Sequence, residues 1–199
     1  MVRNFQLLDI RTQLPITHIE HIPNFLNDNE IKALSNVSEQ YEWQNGDMVD
    51  ELDVNILTRV ADIKWLSSNE ENWWLFEKIL KLSKTLNDAY WKFELYGINE
   101  SLRFSKYKER NNVLGHHGWH MDVTSEGLPS NRKLTLVCGL NDDYEGGETS
   151  LILGLTEQRF KIRKGDAYLF PSFLVNKVYP ATKGDRQSFT CWLSGPSFK

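Results

Sequence analysis

Cysteine is scarce in this chain: two residues, Cys138 and Cys191, in a length of 199. Both sit in apolar, strand-like runs. The expectation is two free, buried thiols, because two scattered cysteines make no disulfide framework. Long apolar runs are missing as well. None approaches the roughly 18–20 residues that a membrane-spanning helix requires. The opening MVRNFQLLDIRTQLP lacks the continuous apolar core of a secretory signal. A cytoplasmic protein without membrane contact is therefore expected. Basic residues are in slight deficit, 23 Lys and Arg against 27 Asp and Glu for a formal charge of −4, which argues against a nucleic-acid partner. No repeat, low-complexity tract or Pro/Gly/Ser-rich linker divides the chain, so residues 1–199 are expected to form one domain. Tryptophan is plentiful instead, with seven residues that are expected to pack mostly in the core.

The hydrophobic period changes near residue 93. Before it, two segments carry helix signals. Asn27 and Glu30 have capping-box spacing, and Ile31, Leu34 and Val37 then recur on one face. Ser68 and Glu71 have the same spacing, ahead of a stripe of Leu75, Ile79, Leu82 and Leu86, which predicts a longer helix over about 69–91. Between them VNILTRVADIKWL reads as extended chain. After residue 93, short alternating runs follow one another: KFELYGI, SLRFSKYK, GWHMDVT, KLTLVCGLN, TSLILG, QRFKIRK, DAYLFPS, FLVNKVY and RQSFTCWLSG, separated by turn residues. Helices first and many strands afterwards predict an α+β, mainly β fold. The expected form is a jelly roll over 93–199 buttressed by a helical N-terminal part, 1–92. The irregular segments around 45–58 and 108–118 are expected to cover a site.

Chemistry concentrates in LGHHGWHMDVT, residues 114–124. His120 and Asp122 are two apart on an expected strand, so their side chains share a face. An imidazole and a carboxylate side by side offer two ligands to one divalent metal, as in the facial triad of two histidines and one carboxylate. The pair alone is short enough to arise by chance. Other conspicuous residues read more plainly. NDDYEGGE lacks the spacing of a calcium loop and reads as a solvated hairpin turn. His18 and His21 read as surface or core histidines, and the lysines of KERNN and KIRK as solvated faces.

The blocks that follow give the pair its meaning. RKLTLVCGLNDDYEGGET and then RKGDAYLFPSFLVNKVYPATKGDRQSFTCW stand after HMD in order. Over about residues 101–195 the chain resembles the 2-oxoglutarate/Fe(II)-dependent dioxygenases of the prolyl 4-hydroxylase-like branch. That resemblance implies a double-stranded β-helix, the jelly roll. It implies Fe(II) and 2-oxoglutarate as cofactors, with ascorbate as an accompanying reductant, and a small-molecule or peptide substrate hydroxylated at an amino-acid or prolyl-type side chain. His120 and Asp122 match the first two iron ligands. Arg186 matches the arginine that clamps the far carboxylate of 2-oxoglutarate, with Ser188 beside it, and Tyr107 matches a tyrosine that hydrogen-bonds the cosubstrate. Trp119 and Trp192 match aromatics read here as packing.

Two positions depart from the pattern. Asn176 stands where the family's second histidine is expected, in a register fixed by Val178, Pro180, Thr182, Gly184, Arg186 and Ser188. Gly139 stands where relatives often carry a tyrosine. An amide oxygen at 176 is a neutral, weaker donor to Fe(II) than imidazole. Three accounts of Asn176 stay open: a degenerate member, a working His/Asp/Asn site or one with a recruited ligand, and an introduced substitution. His116 lies four residues from His120, roughly 13 Å along a regular strand, so recruitment of His116 or His117 is not expected. The alternative to a working hydroxylase is a catalytically silent binding module that retains the fold.

Overall fold

A computed structural model describes residues 16–49, 57–125 and 127–197. The opening segment and much of the irregular stretch 45–58 lie outside the described residues. In chain order the elements are β1 (Glu20–Ile22), α1 (Asp28–Ser38), β2 (Gln44–Asn45), β3 (Met48–Val49), β4 (Leu57–Val60), β5 (Asp62–Leu66), α2 (Trp73–Ala89), β6 (Leu102–Tyr107), β7 (His116–His120), a 3-10 turn (Leu128–Asn131), β8 (Arg132–Gly139), β9 (Glu145–Gly146), β10 (Thr149–Leu153), β11 (Thr156–Phe160), β12 (Ala167–Pro171), β13 (Asn176–Val178), β14 (Ala181–Lys183) and β15 (Arg186–Ser194). One sheet has seven strands in the order β1-β12-β8-β15-β6-β5-β2, and a second has six in the order β11-β10-β13-β7-β4-β3. β9 and β14 pair separately as a short ribbon. Besides both helices, the segment before residue 92 thus supplies strands to both sheets, and β4 and β5 pass the chain from the smaller sheet to the larger at Ala61.

The period-2 alternation of the large sheet sorts its side chains. Leu102, Phe104, Leu134, Leu136, Cys138, Phe189, Cys191 and Leu193 pack with Leu34 of α1 and Leu75, Phe76 and Ile79 of α2. The α1 capping box forms as expected: the Glu30 amide donates to Asn27 Oδ1 at 3.0 Å, and the Asn27 amide donates to Glu30 Oε2 at 2.9 Å. The Ser68/Glu71 box does not form. Asn69 Oδ1 instead accepts from the amides of Glu71 (3.0 Å) and Asn72 (3.1 Å), and Asn72 Oδ1 accepts from the Asn69 amide at 2.8 Å. These local side-chain bonds satisfy the backbone in a non-helical turn, and α2 starts only at Trp73.

One further expectation changes. KFELYGI forms no strand: Lys92 takes a φ of 56°, and the Asn87 side chain holds both backbone groups of Phe93, at 2.9 and 2.8 Å. Gly97 makes only an isolated bridge to Ser194. Most of the tryptophans pack in the core as expected, Trp91 and Trp192 buried and Trp43 and Trp74 half-buried against it, while Trp65, Trp73 and Trp119 are exposed. Both cysteines are buried and free, as expected, and burial pushes both thiols up.

Candidate active site

The opposite face of the large sheet looks toward the smaller one across a narrow cavity. β15 and β6 pair Arg186 with Tyr107, Ser188 with Ser105 and Thr190 with Arg103. Alternation then sends Arg103, Tyr107, Arg186, Ser188 and Thr190 into the cavity, where β7 and β13 contribute His117, His120, Asn176 and Val178. All six residues anticipated at the site are brought together there.

His120 ends β7 and Asp122 lies just beyond it, so the two are not on one strand as expected. Tertiary bonds hold the carboxylate instead. The Asp122 amide donates to the Ser172 carbonyl at 3.1 Å, its carbonyl accepts from Arg132 Nη1 at 3.0 Å, and Thr135 Oγ1 donates to Oδ2 at 3.0 Å. Oδ1 is left 3.9 Å from His120 Nε2. His120 Nδ1 lies 2.8 Å from the Gly118 carbonyl, which can only accept. Nδ1 therefore carries the proton in the neutral ring, and Nε2 has its lone pair free. Burial lowers the His120 pKa; Asp122 and the Gly118 carbonyl oppose that, and Arg103 and Arg59 add to it.

Asn176 is buried opposite His120, its cross-strand partner. Its Nδ2 donates to the His120 carbonyl at 3.2 Å and the Leu174 carbonyl at 3.4 Å, which commits the amino end of the amide and leaves Oδ1 as the available donor atom. The regular-strand argument against His117 does not hold here, because β7 is irregular, although the expectation that it is not recruited is not overturned. Asn176 pairs with His120 but Val178 pairs with His117, so two steps of β13 span three of β7. This bulge puts both rings on one face, stacked at 3.5 Å between centroids and 23° apart. His117 is buried with Nδ1 unpartnered, and burial and the neighbouring cations hold its pKa well below the usual range. The glycine of HHGWH, inside an otherwise extended run, is the signal that could have found the bulge.

Arg186 is 2% exposed. Nη1 donates to Ser188 Oγ at 3.0 Å, Nη2 donates to Thr149 Oγ1 at 3.2 Å, and the guanidinium sits 5.1 Å from the Tyr107 ring centre. No carboxylate pairs with it among the described residues. A buried charge held only by hydroxyls and a ring is costly unless an anion completes it. Tyr144 also packs here. It was read as part of a solvated turn, yet it is buried, donates to the Ile162 carbonyl at 3.2 Å, and has its pKa raised by burial against the opposing Arg186 charge. A side chain at Gly139 would meet that same Ile162 carbonyl at 2.9 Å and the Arg163 carbonyl at 2.4 Å. Backbone therefore fills the place a side chain at 139 would take, and a phenol reaches Arg186 from Tyr144 instead. Of the two matched tryptophans, Trp192 packs as expected, whereas Trp119 is exposed with the Lys177 ammonium 5.3 Å from its ring.

The donor chemistry fits a divalent metal with two good ligand atoms, His120 Nε2 and Asp122 Oδ1, and one neutral amide oxygen. No cluster of three His, Cys, Asp or Glu side chains converges among the described residues, so the third place does not belong to a preformed imidazole or carboxylate. The Arg186 environment fits a carboxylate.

Residues 102–194 match the family model of the 2OG-Fe(II) oxygenase superfamily. A PKHD-type hydroxylase of Alteromonas mediterranea is 34% identical over 97 residues, 45% of this chain and 41% of that protein. The chain thus spans about two fifths of the length of the curated relatives it matches. Among solved structures, a Pseudomonas putida prolyl-4-hydroxylase superposes with a TM-score of 0.71 at 18% identity, over 91% of this chain and 94% of that one. A Trichoplax adhaerens prolyl hydroxylase, in complex with a hypoxia inducible factor peptide fragment, gives 0.70 at 19% identity over 89% and 83%. These comparisons bear out the likeness read from the motifs, to a 2OG-Fe(II) oxygenase of prolyl 4-hydroxylase-like type with a double-stranded β-helix.

Proposed function

We propose that this protein is an Fe(II)- and 2-oxoglutarate-dependent hydroxylase acting on an amino-acid or peptidyl, prolyl-type substrate. The observation that carries the reading is Arg186, a buried guanidinium with no carboxylate partner among the described residues, in one cavity with His120 and Asp122. His120, Asp122 and the Asn176 oxygen would hold the metal. Bound together, Fe(II) and 2-oxoglutarate supply the oxidation, in which dioxygen is consumed, 2-oxoglutarate yields succinate and carbon dioxide, and a substrate C–H becomes C–OH.

The chain's own residues orient and enclose the reactants. Arg186 clamps the far carboxylate of 2-oxoglutarate, and Ser188 and Thr149 hold its two terminal nitrogens so that the fork is already aimed. Thr135 fixes one oxygen of Asp122 and so directs the other at His120. Gly118 fixes the His120 tautomer. Asn176 is the reason to keep a second reading, a silent binding module with an intact dicarboxylate pocket, because a neutral amide replaces an imidazole at the third ligand place.

The two readings separate in an anaerobic titration of metal-free protein with Fe(II) and 2-oxoglutarate, watching for the visible charge-transfer band of the chelated complex. A band in the unaltered protein supports the hydroxylase. A band only in Asn176→His marks a pocket one ligand short and favours the silent module. No band in either overturns the proposal.

A further inference from the structure

Arg103 has no role in the reading above, although its side chain lines the same cavity. It lies on β6 four residues before Tyr107, and its cross-strand partner is Thr190, four residues after Arg186. Four residues of strand span roughly 13 Å. Arg186 and Arg103 therefore enter from opposite ends of the cavity. The Arg103 end is the Asp122 end: its guanidinium sits 4.8 Å from the centre of the Trp192 ring, and Trp192 pairs across strands with Thr135, whose hydroxyl holds Asp122.

A second arginine lies against the same indole and shows what is missing. Arg132, 3.7 Å from the Trp192 ring centre, donates Nε to Glu100 at 2.7 Å, Nη2 to the other Glu100 oxygen, and Nη1 to the Asp122 carbonyl at 3.0 Å. Arg103 has no such set. Its Nε is buried without a hydrogen-bond partner, and no carboxylate pairs with it among the described residues. Arg59 lies near enough for the two positive charges to disfavour each other. A fold that supplied Arg132 with a full complement has left Arg103 with an indole face and an open fork.

The charges of the loaded site sharpen this. A divalent metal and the Arg186 cation are balanced by the two carboxylates of 2-oxoglutarate and by Asp122. The Arg103 charge remains over, on a half-buried side chain. A cation with a planar fork and no anionic partner among the described residues matches a carboxylate.

Taking the hydroxylase reading as premise, we propose that the substrate carries a free carboxylate and that Arg103 binds it, placing the carbon to be oxidised between the two arginines. The substrate class is then a free amino acid or a residue with an unblocked carboxylate, and an amidated equivalent is rejected because it leaves Arg103 unpaired. Arg103 is a specificity-determining residue, separate from the cosubstrate clamp.

The test compares acids with their amides. The protein is loaded anaerobically with Mn(II) and 2-oxoglutarate. The free L-amino acids, their N-acetyl derivatives and the corresponding carboxamides, L-proline and L-prolinamide among them, are then screened by the paramagnetic broadening of their proton resonances. At least one acid is expected to broaden at a concentration ten or more times lower than its amide. Arg103→Met should abolish that preference, Arg103→Lys should keep part of it, and both should bind 2-oxoglutarate within about twofold of the unaltered protein, a control that also reports folding. The inference is overturned if no acid in the panel is preferred over its amide, a result that needs no variant, or if the preference survives in a folded Arg103→Met. Failure of the unaltered protein to bind 2-oxoglutarate would instead overturn the underlying hydroxylase reading.

Discussion

The two faces of the seven-stranded sheet are made from the same strands and have opposite characters. One face, with Leu102, Phe104, Leu134, Leu136, Phe189 and Leu193, is apolar and covered by α1 and α2. The other carries Arg103, Tyr107, Thr135, Arg186, Ser188 and Thr190, groups that burial penalises unless they are paired. The first face stabilises the fold. The second is tolerated because the first is so well packed, and its unpaired cations mark where ligands complete it. Stability and binding should therefore be separable by substitutions only one residue apart in sequence.

That division can be broken or sharpened by experiment. The largest effect belongs to the helix-facing side. Leu136 is fully buried, and Leu136→Ala should cost about 3 kcal/mol in urea unfolding, while the variant still binds 2-oxoglutarate below its transition. Lost affinity in the folded variant would break the separation. On the other face, Arg186→Leu should weaken 2-oxoglutarate on the order of a hundredfold by calorimetry. Its ligand-free melting temperature should not fall, since an apolar residue replaces an unpaired buried charge. A marked drop in melting temperature would make Arg186 structural. Asn176→His should tighten Mn(II) on the order of tenfold in an equilibrium titration, because imidazole is the better donor. Unchanged affinity would place the third ligand elsewhere, with His117 as the adjacent candidate to remove next. The smallest effect lies far from the cavity. Asn27→Ala removes the α1 capping box and should cost about 1 kcal/mol with no change in 2-oxoglutarate affinity.

Local sequence signals succeeded where the interactions are local. The α1 cap joins residues three apart, and the strand alternation repeats every second residue, so both can be read without knowing the fold. Ser68 and Glu71 show the limit of such reading. The spacing is right, but Asn69 and Asn72 offer the backbone a competing turn. The site was legible through motif blocks in order, which carried His120, Asp122, Asn176, Arg186, Ser188 and Tyr107 to one place. Periodicity alone would have put Asp122 on a strand, where it is not.

What the order of residues settled unaided is the alternating pattern that gives the large sheet one apolar and one chemical face, the capping of the first helix, and the motif register that puts an amide at position 176. Long-range pairing settled the rest. The offset of β7 against β13 turned His117 inward. The Ile162 and Arg163 carbonyls closed the space at Gly139, while Tyr144 folded back on Arg186. Glu100 reached Arg132 and not Arg103. In each case the deciding partner is distant in the chain, and whether a buried polar group is satisfied or left open depends on partners that only folding brings within hydrogen-bond reach.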